Sequence, residues 1–206
     1  VGILTPNGVC VASNLNVRVA RNNGLIITGV NSSGKTSMFR VLSNLWPVKG
    51  PNAHIVRPPR AKLMLVPQKP YSFDGTLAEQ VTYPSVAPAD PATVQAALDA
   101  AGIGYLSSRF PQGLGAAMRW EDTLSLGEQQ RLGFARLYFH RPLFAVLDEC
   151  SDAVSMDQEV RLYKQLHEMG ITVITISKRL SLPMFHKQQL NFGEPTESGW
   201  SLLEIA

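Results

Sequence analysis

The apolar and polar positions divide the chain into segments of two kinds. The opening "GILT", the turn Pro6-Asn7-Gly8 and the period-two run "VCVASNLNVRVA" predict an antiparallel hairpin. "RNNG" at Arg21–Gly24 then turns into a short apolar strand, Leu25-Ile26-Ile27. A helix is expected over Met38–Leu45, opened by Lys35 and closed before Pro47. After the proline-rich "RPPRA", Leu63–Val66 reads as a strand stopped by Pro67.

From about Tyr71 to Arg141 the pattern is helical. "PATVQAALDAAGI" predicts one helix, ended by Gly102. "SLGEQQRLGFARLYFH" predicts another, with Leu132, Phe134, Ala135, Leu137 and Tyr138 on a mostly buried face. Strand signals return in "LFAVLDE" and "ITVITIS", with a helix over Gln158–Met169 between them. Strands alternating with helices predict an α/β fold: a mainly parallel sheet flanked by helices, an N-terminal antiparallel part and a helical insertion at about 71–141.

Composition narrows the class. Of 206 residues, 45% are apolar and 17% charged, which supports a packed core and counts against disorder. The net charge of +3 comes without a dense Lys/Arg cluster interleaved with aromatics, so no nucleic-acid partner is expected. Cys10 and Cys150 are read as reduced, buried small residues, and the four histidines show no metal-ligand spacing. No apolar run is long enough to span a bilayer. The start at "VGILTPNG" has no methionine and is already strand-like, so the chain is read as a soluble domain cut from a longer protein.

"GVNSSGKT" at Gly29–Thr36 matches the phosphate-loop pattern G-x-x-x-x-G-K-[ST], in the required order of strand, loop and helix. Gly29 and Gly34 allow backbone angles that turn successive N–H groups toward an anion. The following helix points its positive end at the same phosphates. Lys35 supplies a point charge and Thr36 a hydroxyl for Mg²⁺, while Asn31, Ser32, Ser33 and Ser37 can add donors. The apolar strand "LFAVLDE" delivers Asp148 and Glu149 to the edge of the sheet where ligands bind. Asp148 is expected in the Mg²⁺ shell, and Glu149 is expected to orient or deprotonate an attacking water. The chain therefore reads as a phosphate-loop α/β domain whose ligand carries phosphates and Mg²⁺.

"LSLGEQQRLGFAR" at Leu124–Arg136 resembles the signature L-S-G-G-Q/E of ATP-binding cassette (ABC) ATPases, with its following Q-R and A-R. "LVPQKP" places Gln68 where those ATPases have their Q-loop. With the phosphate loop and "LDE" in the same order, the resemblance covers the whole chain. "NLWP" at Asn44–Pro47, "LDEC" with Cys150, Ala153 to Asp157 and the closing "GWSLLEI" are similar to subfamily D, the peroxisomal fatty-acid and acyl-CoA transporters. "LSLGEQQRLGFARLYFHRP" is most similar to the C-terminal cassette of the fused plant and algal members.

The resemblance implies a P-loop NTPase fold and a head-to-tail pair of cassettes with two ATP–Mg²⁺ between them. Lys35, Thr36, Gln68, Asp148 and Glu149 would face one nucleotide, with Gln68 sensing Mg²⁺ and passing movement to a membrane domain. Ser125, Gly127 and Glu128 would contact the nucleotide held mainly by the partner. The transported acyl-CoA or fatty acid would be bound by the membrane domain of the same transporter, in the peroxisomal membrane, with the cassette facing the cytosol.

Three positions depart from the family pattern. Lys178 stands at the switch histidine, and two readings stand: a cation that neutralises phosphate charge, or a position relaxed because the site is slow. Leu126 replaces a signature glycine, a defect that belongs to the opposite site. Asp152 replaces a small serine in the loop linking the two sites, or is a solvated surface residue. These departures predict weakened turnover in one half of an asymmetric pair. The adenine platform is left between Pro6 and Val19 and an aromatic upstream of the chain, and Tyr71 is read as a packing or membrane-domain interface residue. Arg136, Trp120 and Trp200 read as structural. Two other function classes stay open: a soluble ABC-type ATPase without transport, and a regulatory nucleotide-sensing cassette.

Overall fold

The structure is a computed structural model that describes residues 1–50, 52–194 and 196–205. In chain order its elements are β1 (Ile3–Leu4), β2 (Cys10–Ala12), β3 (Leu25–Gly29), α1 (Lys35–Leu42), β4 (Leu63–Val66), β5 (Asp74–Thr76), α2 (Leu77–Thr82), α3 (Pro91–Ala100), α4 (Leu106–Arg109), β6 (Ala117–Arg119), α5 (Trp120–Thr123), α6 (Leu126–His140), β7 (Phe144–Asp148), α7 (Met156–Glu168), β8 (Thr172–Ile176), β9 (Gln188–Phe192) and β10 (Trp200–Glu204). The chain forms two compact units, residues 1–65, 143–149 and 171–206 in one, and 66–142 and 150–170 in the other.

The first unit is built on a sheet of order β10-β9-β3-β8-β7-β4. β3 is parallel to β8 and to β9, β7 is parallel to β8, and β10 closes the edge antiparallel to β9. β1 and β2 pair antiparallel as a separate hairpin. β-branched residues fill the central strands because both faces are covered, and all five residues of β8 are buried. The helix α1 buries Met38, Phe39 and Val41 in a core with Ile27, Val146, Ile174 and Leu190. Register brings Asp148 level with Ile176 and Gly29 level with Phe192, so the carboxyl ends of the parallel strands share one edge.

The second unit is mostly helical. Trp120 is fully buried, donates from Nε1 to the Gly75 carbonyl at 2.7 Å and meets Phe110 edge-on. The helix α6 buries Leu132, Phe134, Ala135, Leu137 and Tyr138, and the Tyr138 hydroxyl donates to the Leu162 carbonyl of α7 at 2.9 Å.

Several expectations shift in detail. The run after Val9 is a strand only over Cys10–Ala12, because Asn14 takes a φ of 51° that no ladder tolerates. The first helix ends at Leu42 rather than Leu45, since Asn44 turns to a φ of 62° three residues before Pro47. The helix expected from Gln158 starts two residues earlier, after Ser155 at its N-cap position. Of the two free cysteines, Cys150 is buried as expected and Cys10 is exposed, because β2 lies in a short peripheral hairpin.

Candidate nucleotide site

The phosphate loop leaves β3 at Gly29 and enters α1 at Lys35. Gly29 has a φ of 139° and Gly34 a φ of 105°, both outside the range open to L side chains. Space excludes a side chain as well: a Cβ on Gly29 would lie 2.4 Å from the Phe192 carbonyl oxygen, and one on Gly34 would lie 1.8 Å from Val11 Cγ1. Val11 and Phe192 therefore shape the loop from outside the motif, and no local pattern in the sequence marks them for that.

Lys35 is 6% exposed, and its ammonium donates to the Gly29 and Val30 carbonyls at 2.8 Å each. Burial lowers its pKa first and the charge of Lys178 adds to that, while Glu149 and Asp148 oppose the fall. Asn31, Ser32 and Thr36 are exposed, Ser37 is buried, and Ser32 holds a φ of 63°. The Ser33 hydroxyl is buried with no hydrogen-bond partner among the described residues. An orphaned donor inside a ring of exposed polar groups suits an anion.

Asp148 is buried at the end of β7, and Glu149 follows it half-buried at a φ of 44°. That left-handed backbone on a non-glycine residue is the kind of strain that clusters at functional sites. The Glu149 N–H is pinned to the Ile176 carbonyl at 2.9 Å. Lys178, two residues beyond β8, donates to Asn31 Oδ1 and lies 3.9 Å from Glu149 Oε1. The first unit thus brings together the loop, both strand-end carboxylates and Lys178.

Mg²⁺ fits this donor set. No group of three His, Cys, Asp or Glu side chains is arranged for a metal among the described residues. Mg²⁺ needs less than that, one or two protein oxygens with phosphates and water completing its shell. The Thr36 hydroxyl and the Asp148 and Glu149 carboxylates supply hard oxygen donors at this edge.

The remaining predicted residues lie in the second unit. Gln68 is exposed, and its carbonyl accepts from Gln130 Nε2 at 3.3 Å. Ser125 caps α6, which places Leu126 (50% exposed) and Gly127 in the first turn. A Cβ on Gly127 would meet the Ala153 carbonyl oxygen at 3.0 Å, so a side chain there would crowd the Ala153 backbone. Glu128 has both carboxylate oxygens engaged within the chain: Oε2 accepts from the Ser125 N–H and hydroxyl at 2.8 and 2.9 Å, and Oε1 from the Tyr105 hydroxyl at 2.7 Å. Burial pushes the Glu128 carboxyl up, but these bonds and Arg109 outweigh it and hold its pKa below the usual carboxylate value. Tyr105 and Arg109, which bond Glu128 Oε1, were not chosen from the sequence, since they lie about twenty residues from the motif they support.

An ABC transporter family model matches residues 12–152, from β2 through both glycines, the signature and the strand-end carboxylates. The chain belongs to the ABC transporter family. The cassette is 40% identical over 213 residues to "ABC transporter D family member 1" of Arabidopsis thaliana, covering 98% of this chain and 15% of that protein. It is 40% identical over 197 residues to human "ATP-binding cassette sub-family D member 3", covering 93% of this chain and 29% of that protein. These relatives bear out the subfamily D resemblance. Among solved structures, a bacterial Atm1-family ABC exporter with ATP bound superposes with a TM-score of 0.73 at 26% identity, over 92% of the cassette and 34% of that chain. The match bears out the P-loop NTPase fold, and the cassette is the ATPase domain of this family. It spans less than a third of the length of these curated relatives.

Proposed function

We propose that this cassette binds ATP with Mg²⁺ and couples its hydrolysis to the movement of long-chain fatty acids or acyl-CoA by a membrane domain of the same transporter, in the peroxisomal membrane with the cassette facing the cytosol. Likeness to subfamily D over nearly the whole chain supports the substrate class and compartment. Nucleotide binding rests on one observation: a phosphate loop whose two glycines are required sterically and whose Ser33 hydroxyl is buried without a partner among the described residues.

In this reading the loop N–H groups, Lys35 and the hydroxyls of Ser32, Ser33 and Ser37 hold the phosphates, with Asn31 at the rim. Thr36 and Asp148 would hold Mg²⁺, which when bound neutralises charge on the terminal phosphates. Glu149 orients and deprotonates the attacking water, and Gln68 passes the change to the membrane domain. A second cassette packs head-to-tail, receiving Ser125 and Gly127 at its own nucleotide, with Glu128 fixing Ser125. Lys178 and Leu126 make this the weaker half of an asymmetric pair.

Retention of Mg-ATP by the full-length polypeptide tests the reading. Lys35→Ala should cut it roughly ten- to a hundredfold, the size expected for losing hydrogen bonds to a charged group. Unchanged retention sinks the proposal. A second reading, a nucleotide-sensing cassette without catalysis, is favoured by the pairing of Lys178 with Glu149. Single-turnover hydrolysis by the paired cassettes separates the two, since only the first reading gives product.

A further inference from the structure

Three strand ends meet around Lys178. The Ser177 N–H donates to the Ile27 carbonyl of β3 at 3.2 Å, and the Glu149 N–H donates to the Ile176 carbonyl of β8 at 2.9 Å. The backbone leading into Lys178 is therefore stitched both to the strand that feeds the phosphate loop and to the strand that carries Glu149. Its side chain completes the link: the ammonium donates to Asn31 of the loop and pairs with Glu149 Oε1 at 3.9 Å. Lys35, the other cation here, is directed at the Gly29 and Val30 carbonyls.

We propose that Lys178 is a positioning residue that ties the phosphate loop to Glu149, and that the terminal phosphate of ATP competes with Glu149 for its ammonium. The proposal rests on the reading that ATP binds at this loop. A lysine can do this where a neutral imidazole cannot, because it is a permanent, flexible point charge with three donors. Before nucleotide binds, the Glu149 side chain is held against Lys178. A terminal phosphate, carrying more charge than one carboxylate, draws Lys178 toward itself and frees Glu149 for water. The pairing with Glu149 then opposes binding of ATP, and only of ATP, because ADP lacks the competing group.

A double-mutant cycle tests this in the full-length polypeptide. Photolabelling of this cassette by a non-hydrolysed azido-ATP analogue, titrated on ice, gives the affinity of each variant. Glu149→Gln should tighten binding about three- to fivefold more with Lys178 present than in the Lys178→Met background, as expected for a half-exposed pair. Azido-ADP should show no such difference, and Lys178→Arg should keep it. Equal tightening in both backgrounds, or the same coupling with azido-ADP, overturns the proposal and leaves ATP binding standing. Absence of labelling in every variant overturns both.

Discussion

His186 shows what a single buried titratable group does to the first unit. It is 3% exposed, and its Nδ1–H donates to the Leu182 carbonyl at 2.7 Å. A carbonyl can only accept, so Nε2 is left to accept from the Thr175 hydroxyl at 2.8 Å. Burial pushes its pKa from the usual 6.5 down to about 4, with the Leu182 bond opposing. Between those values the unfolded chain binds a proton that the folded chain refuses. The stability this histidine leaves intact above pH 6.5 is therefore lost as pH falls toward 4, by about 3 kcal/mol. Urea midpoints should show it: from pH 7 to 4 the wild type should lose about 3 kcal/mol more than His186→Gln. The sequence offered no hint of this role, because His186 becomes special only where the chain returns beside β8. The residues of "GVNSSGKT" and "LDE" were readable because their chemistry is local. Val11, Phe192, Tyr105 and Arg109 were not, because each acts through a contact made far along the chain.

At the scale of elements, the start of α6 carries the most argument. Ser125 and Glu128 form a reciprocal capping box, and Tyr105 and Arg109 tie it into the helical unit. Glu128→Ala removes acceptors for two Ser125 donors and for a tyrosine hydroxyl, and should cost about 1–2 kcal/mol in chemical denaturation. Ser125→Ala on top of it should cost clearly less than the sum of the single changes, since the two share their bonds. Short apolar and β-branched runs were legible: the strands Leu63–Val66, Phe144–Asp148 and Thr172–Ile176 fall where the pattern puts them. β9 was passed over although "QQLNF" alternates buried and half-buried positions, because polar side chains line its accessible face. The alternation after Ala12 misled in the opposite way, since period two alone cannot show that a partner strand is present.

At the scale of the molecule, the two units divide the chemistry of a proposed pair. The first carries the loop, Asp148, Glu149 and Lys178, and the second carries the signature. A change in each should then act on a different nucleotide. Lys178→His should raise turnover at this cassette's own site, and Leu126→Gly should raise it at the partner's, each by roughly threefold or more. Site-resolved single-turnover assays on the full transporter check this. An effect of Leu126→Gly confined to the cassette's own site contradicts the head-to-tail arrangement.

The 1.8 Å between Val11 Cγ1 and the position of a Cβ on Gly34 has a practical outcome. The hairpin acts as a mould pressed against the loop, and trimming Val11 alone would not free position 34, whose φ of 105° shuts out a side chain whatever the room. A fragment trimmed to begin at residue 12, where the family match starts, would cut away the very methyl groups that hold the cradle's shape.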